Sequence, residues 1–132
     1  MPDITFDPSG HATFPTKYHG EVVLSKGKWA KICQEPERWY YHNNGDKIST
    51  TLINPDYVRY HSTYPNQFFY YKAFPSITLK EGVEASTGTT IPPYFAVIID
   101  NSTKKICTVY PTEKPKLGKE FRGEQNEAGN ER

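Results

Sequence analysis

Tyr94-Phe95-Ala96-Val97-Ile98-Ile99-Asp100, then Asn101-Ser102-Thr103, then Lys104 to Tyr110, is the stretch from which the fold is read. The first seven residues are the most hydrophobic segment of the chain and rich in β-branched and aromatic types. Such a run suits a central strand covered on both faces. Asn101-Ser102-Thr103 supplies turn residues, and Lys104 to Tyr110 returns beside it as the second arm of a hairpin. Upstream, Tyr57 to His61 alternates, with Val58 and Tyr60 on one face and Tyr57, Arg59 and His61 on the other. Phe68 to Phe74 is a further strand, joined to the last through Tyr64-Pro65-Asn66. The stretch from Pro75 to Pro93 is too long for a tight turn. Within it Ile77 to Lys80 and Val83 to Ala85 can pair as a small hairpin around Glu81-Gly82.

Helical signals precede these strands. Ser25 is a candidate N-cap, and Lys28 to Cys33 spaces Trp29, Ile32 and Cys33 as one helical face. Pro36 ends that helix or opens another turn. Asn43-Asn44-Gly45 marks a turn, and Asp46 caps a second helix through Ile53, with Ile48 and Leu52 facing inward and Asn54-Pro55 stopping it. Glu21 to Leu24 is a short strand. The expected fold is α+β, with two short N-terminal helices packed on a four- to five-stranded antiparallel sheet. Residues 1–20, with Pro2, Pro8, Pro15, Gly10 and Gly20, are expected to form an extended arm. Residues 21–119 are expected to form one domain, and residues 120–132 a disordered tail.

The chain has 132 residues, 36% of them hydrophobic, with 11 prolines and 9 glycines, which fits one loop-rich domain with a small core. No apolar run approaches the roughly 20 residues of a membrane span. The N-terminus lacks the basic and apolar regions of a signal peptide, so a cytoplasmic location and no membrane partner are expected. Cys33 and Cys107 stand apart and are expected to be reduced and partly buried. The four histidines, His11, His19, His42 and His61, are scattered, and no metal or other cofactor is implied. His11, His19 and His42 read as surface residues, and Trp29 and Trp39 as core anchors. Lys114, Lys116 and Lys119 are partly matched by Glu113 and Glu120 and read as a solvated end.

Charge is nearly balanced, with 16 Lys and Arg against 15 Asp and Glu, yet the span from Tyr57 to Lys80 holds no carboxylate. It carries Arg59, His61, Lys72 and Lys80 among eight Tyr and Phe residues. Cations and flat rings on strands suit a surface that meets phosphates and bases, and equally a pair of strands whose rings cover a small core. Arg59 and His61 share a face, as do Thr108, Tyr110 and Thr112. If both faces coincide, a cation, an imidazole, a hydroxyl and a phenol converge. Arg59 offers bidentate contact to a phosphate, and the imidazole of His61 is the best general acid or base available. Lys72 is an edge cation, and Tyr70 or Tyr71 can stack a base, though alternation lets only one of them face the site.

Three pieces, in this order, resemble a known family. They are Trp29-Ala30-Lys31-Ile32-Cys33-Gln34-Glu35-Pro36-Glu37 followed by Ile48 to Arg59 with its Pro55-Asp56-Tyr57-Val58 junction, Phe68-Phe69-Tyr70-Tyr71-Lys72, and Ile106 to Lys116 with Thr108-Val109-Tyr110-Pro111-Thr112. Together they look like the phage-associated branch of the barnase–EndoU–colicin–RelE-like superfamily of small RNases, over residues 21–119. The resemblance implies a metal-independent endoribonuclease, toxin- or phage-effector-like. Its sheet's concave face, opposite the helices, would hold RNA and direct a ribose 2′-OH onto the adjacent phosphate. That chemistry needs a base, an acid and cations that stabilise the transition state. With the residues read above, the catalytic candidates are His61, Arg59, Tyr110, Thr108, Glu35 and Lys31, and the candidate RNA contacts are Lys72, Tyr71, Tyr70 and Thr112. The family's His-Pro-Glu is Glu35-Pro36-Glu37 here, and Lys31 stands where a second helix histidine is often found. The chain has therefore either changed its acid–base pair or kept the fold as an inactive RNA- or protein-binding module, such as a phage-encoded inhibitor. Lys31 and Glu35 can also simply pair with each other as an i, i+4 salt bridge. A toxin would further imply an acidic antitoxin or immunity partner, and a monomer.

Overall fold

The computed structural model describes residues 4–35, 43–61, 63–79, 81–88 and 90–115, with the backbone of 121–124. Trp39, His42, Lys80, Lys116, Lys119, the turn after Pro36 and most of the tail lie outside the described residues. Strand β1 (His11–Pro15) turns through Thr16–Gly20 into β2 (Glu21–Ser25), which runs directly into helix α1 (Lys26–Gln34). Helix α2 (Asp46–Ile53) leads to β3 (Tyr57–His61), β4 (Gln67–Ala73), the small pair β5 (Ser76–Thr78) and β6 (Glu84–Ser86), β7 (Tyr94–Asp100), β8 (Lys105–Thr112) and β9 (Phe121–Glu124).

The helices form where the side chains demand them. The Ser25 side chain accepts from the Lys28 amide at 3.1 Å and caps α1, and Trp29, Ile32 and Cys33 make its buried stripe. In α2 the N-cap is Gly45 and not the expected Asp46, which sits in the first turn, and Ile48, Thr51 and Leu52 are buried, again at i, i+3, i+4. The Asn54 amide closes the helix onto the Thr50 carbonyl before Pro55.

The sheet is larger than the expected four or five strands and is mixed: β1-β2-β8-β7-β4-β3-β9, seven strands. Its antiparallel centre, β3-β4-β7-β8, follows the expected meander. The additions come from the chain's two ends. The N-terminal twenty residues are not wholly an arm, because His11–Pro15 pairs antiparallel with Glu21–Ser25 across a turn where Gly20 takes φ 69°. In turn β2 joins β8 in parallel at Val23 and Lys105, with the Val23 amide donating to the Lys104 carbonyl at 2.9 Å. At the other edge the backbone of β9, within the expected tail, runs beside β3.

Both helices pack on one side of the sheet. There Trp29, Ile32, Ile48 and Leu52 meet Val58, Tyr70, Val97, Ile99 and Val109 in the main core. A second, smaller cluster of Phe69, Tyr71, Ala96 and Ile98 lies on the other side. Every residue from Phe95 to Ile99 is buried, so β7 is covered on both faces as its composition requires. Asn44 is buried and ties the small β5–β6 pair to the start of α2. Its amide donates to the Thr78 carbonyl at 2.7 Å and accepts from the Thr78 N–H at 2.9 Å.

Candidate binding face

Registers across the sheet determine which candidates meet on the face without helices. One row reads Arg59, Phe69, Ile98, Thr108, and the next Tyr57, Tyr71, Ala96, Tyr110. Thr112 stands opposite Tyr94 at the end of the same face. The two sequence-derived faces therefore coincide: Arg59, His61, Thr108, Tyr110 and Thr112 lie on one side of the sheet. A bulge between Ile98 and Ile99 adds Cys107 to that side, where it packs against the second cluster.

Sharing a face is not converging. Three strand spacings, about 14 Å, separate the backbones of Arg59 and Thr108. Buried Phe69, Tyr71, Ala96 and Ile98 fill the interval. The Arg59 guanidinium lies over the Tyr57 ring, 4.9 Å from its centroid, so it is directed along its own strand. Arg59 is 8% exposed, and β9 sets Glu124 opposite it in register. The nitrogen Nδ1 of His61 accepts from the amides of Thr63 at 3.0 Å and Tyr64 at 3.3 Å. Those bonds assign the neutral ring a proton on Nε2, which makes its outer nitrogen a donor and not a base. The His61 ring lies 4.9 Å from that of Tyr64, which is 57% exposed, and together they form an aromatic corner at the end of β3.

The remaining candidates are elsewhere. Lys31 and Glu35 are exposed on α1, on the opposite side of the sheet from Arg59 and His61, and form no ion pair with each other. Tyr70 also faces the helices and is fully buried, with its hydroxyl 2.5 Å from Nδ1 of His19. Burial pushes the Tyr70 phenol up to about 12. Tyr71 is on the helix-free face but equally buried, so neither tyrosine offers a ring to a base. Lys72 alternates onto the helix side and pairs with Asp56 at 3.4 Å, where Asp56 also accepts from the Ala73 amide at 2.9 Å. In place of Tyr70 and Tyr71, the half-buried rings on the helix-free face are Tyr57, Tyr94 and Tyr110. Tyr57 and Tyr94 lie 6.2 Å apart between centroids.

His19 corrects a sequence expectation. It is buried, its ring 4.0 Å from that of Phe68 and tilted by 36°, and accepts from the Tyr70 hydroxyl. Desolvation, with Lys104 nearby, pulls its imidazole down to about 4. Nothing in its prolyl, glycyl surroundings signals this, because the contacts come from a strand 51 residues later. Among the described residues no group of three or more His, Cys, Asp or Glu is arranged to hold a metal ion. Burial raises the thiol of Cys107, and Asp100 adds to this while Lys28 opposes it. Among the described residues no helix is long and apolar enough to cross a membrane. No protein-family model matches the chain, and neither curated proteins nor solved structures yield a match.

Proposed function

We propose that this chain binds single-stranded RNA on the helix-free face of its sheet without cleaving it. The observation that carries the reading is the separation of the reactive groups. Lys31 and Glu35 lie on the helix side, Arg59 and His61 on β3, and Thr108 and Tyr110 three strands away. Transesterification needs a base and an acid within about 3 Å of the atoms they serve, whereas stacking needs only accessible rings and a cation. Tyr57, Tyr94, Tyr110 and the His61–Tyr64 corner supply the rings, and Arg59, largely buried over Tyr57, adds a positive charge beneath them. Of the carboxylates on that side, Asp100 is bonded into its own turn and Glu21 stands on the outlying strand β2.

The ribonuclease reading is supported by the common face of Arg59, His61, Thr108, Tyr110 and Thr112. It carries with it the toxin role and an acidic partner that would cover the groove. The deciding experiment incubates purified protein with single-stranded RNA in EDTA, follows binding by fluorescence anisotropy and analyses product ends. Binding without cleavage is expected, weakened in Tyr57→Ala and Tyr110→Ala by about 1–3 kcal/mol per base lost from the stack. Products with 2′,3′-cyclic phosphate ends that disappear in His61→Ala would establish the nuclease instead.

A further inference from the structure

At the margin of the same sheet, the junction where β1, β2 and β8 meet the start of α1 carries two cavities of about 340 Å³ each. They share His11, Val23 and Lys105 as walls. The first adds Ser25 and Lys28, and the second adds Thr103 and Lys104. We propose that this junction is a phosphate-binding site, with Lys28 and Lys105 as its principal cations.

Two carboxylates lie near these lysines, and each turns one oxygen to local donors instead of pairing with a lysine. One oxygen of Asp7 accepts from the Ser9 amide, the Ser9 hydroxyl and the His11 amide at 2.7–3.0 Å. Asp100 is the cross-strand neighbour of Lys105, yet it turns into its own hairpin and accepts from Ser102 and Thr103. Lys28 and Lys105 are exposed and form no ion pair among the described residues. The Lys104 ammonium donates to two neutral acceptors, the His19 carbonyl at 2.8 Å and the Asn101 side chain at 2.6 Å, so its charge adds to the field. The Ser25 oxygen accepts from the Lys28 amide and keeps its own O–H for an external acceptor. The Ser9 hydroxyl gives its proton to Asp7 and accepts from Nδ1 of His11 at 2.9 Å, which holds that ring at the wall of the hollow. Compact ammonium charges and a hydroxyl around one hollow match a tetrahedral, multiply charged oxyanion.

The group bound is either a free or mononucleotide phosphate or a phosphate of the RNA backbone. The second source rests on the RNA-binding reading. In its favour, Lys105 is the cross-strand neighbour of Asp100 at the margin of the aromatic face, so the hollow borders that face.

The test is an NMR amide titration with inorganic phosphate and with a mononucleotide, beside RNA anisotropy at several salt concentrations. Wild type is compared with Lys28→Gln/Lys105→Gln, both at exposed positions that the fold does not need. Saturable shifts at Ser25, Lys28, Lys105 and Ile106 that the double variant loses are expected. The salt slope of RNA binding should also fall by about 1.4 in the variant, since two backbone phosphates are no longer neutralised and each contributes about 0.7. If wild type binds phosphate saturably but no RNA, the hollow is a small-phosphate site and the RNA reading fails. If RNA binds with an unchanged slope in the double variant and weakens only in Tyr57→Ala, the RNA backbone is refuted as the hollow's ligand and the RNA reading stands. Shifts that are unsaturable and identical in both proteins also refute the site.

Discussion

Acidification should destabilise this protein well above the pH at which its carboxylates protonate, and His19 is the cause. The unfolded chain takes up a proton there near 6.5, whereas the folded chain holds the ring neutral down to about 4. Between those values the unfolded state binds more protons, so stability is full above pH 6.5 and is lost as pH falls toward 4. The separation is worth about 3 kcal/mol in all, at about 1.4 kcal/mol per pH unit, and about 2 kcal/mol of it is gone by pH 5. That is a sizeable share of the 5–15 kcal/mol typical of a whole domain. The groups around the ring explain why it resists charging. The Tyr70 hydroxyl donates to Nδ1, the Phe68 ring lies against one face, the Thr16 hydroxyl oxygen accepts from the His19 backbone amide, and the Lys104 ammonium sits on its carbonyl. Protonating Nδ1 removes the acceptor of a buried phenol and places a second cation beside Lys104. The assay is urea unfolding of wild type and His19→Phe at pH 7.5, 6, 5 and 4.5. Wild type should lose stability steadily below pH 6.5. The variant, weaker at pH 7.5 because Tyr70 loses its acceptor, should be nearly flat. A flat wild-type profile, or an NMR titration of His19 centred near 6.5, would refute the reasoning.

Other expectations follow from single interactions. Asn44→Ala leaves the buried Thr78 N–H and C=O without partners, which should cost about 1–3 kcal/mol for each group. Denaturant unfolding measures that cost, and faster hydrogen exchange at Thr78 would locate it in the β5–β6 pair. Lys72→Ala should change stability by less than about 1 kcal/mol, since its pairing with Asp56 is near the surface, and should leave RNA affinity unaltered. A loss of affinity in the anisotropy assay would return Lys72 to the binding face.

Local patterns carried much of the fold. Alternation in Tyr57–His61 placed Arg59 and His61 on one face and Val58 on the other, and helical spacing identified Trp29, Ile32 and Cys33 as the inner stripe of α1. The four central strands and both helices follow from such periods, because burial of one face repeats along a few adjacent residues. Less was legible where a residue's fate depends on a distant neighbour. His11–Pro15 has the prolines and glycines of an arm around it and becomes a strand because β2 pairs with it. Tyr70 and Tyr71 look alike as base-stacking residues until the helices cover one and the sheet's own rings enclose the other.

By itself the sequence determined the α+β class, the two amphipathic helices, the buried central strand and the faces on which Arg59, His61, Thr108 and Tyr110 lie. Those are properties of periods of two and of 3.6 residues, set by backbone geometry within each segment. Only the tertiary structure decided that these side chains are divided across three strand spacings, that His19 is buried against Tyr70, and that Lys28 gathers with Lys105 where β2 meets β8. The physical reason is that strand order and chain crossing bring together residues tens of positions apart, and no local period encodes that pairing.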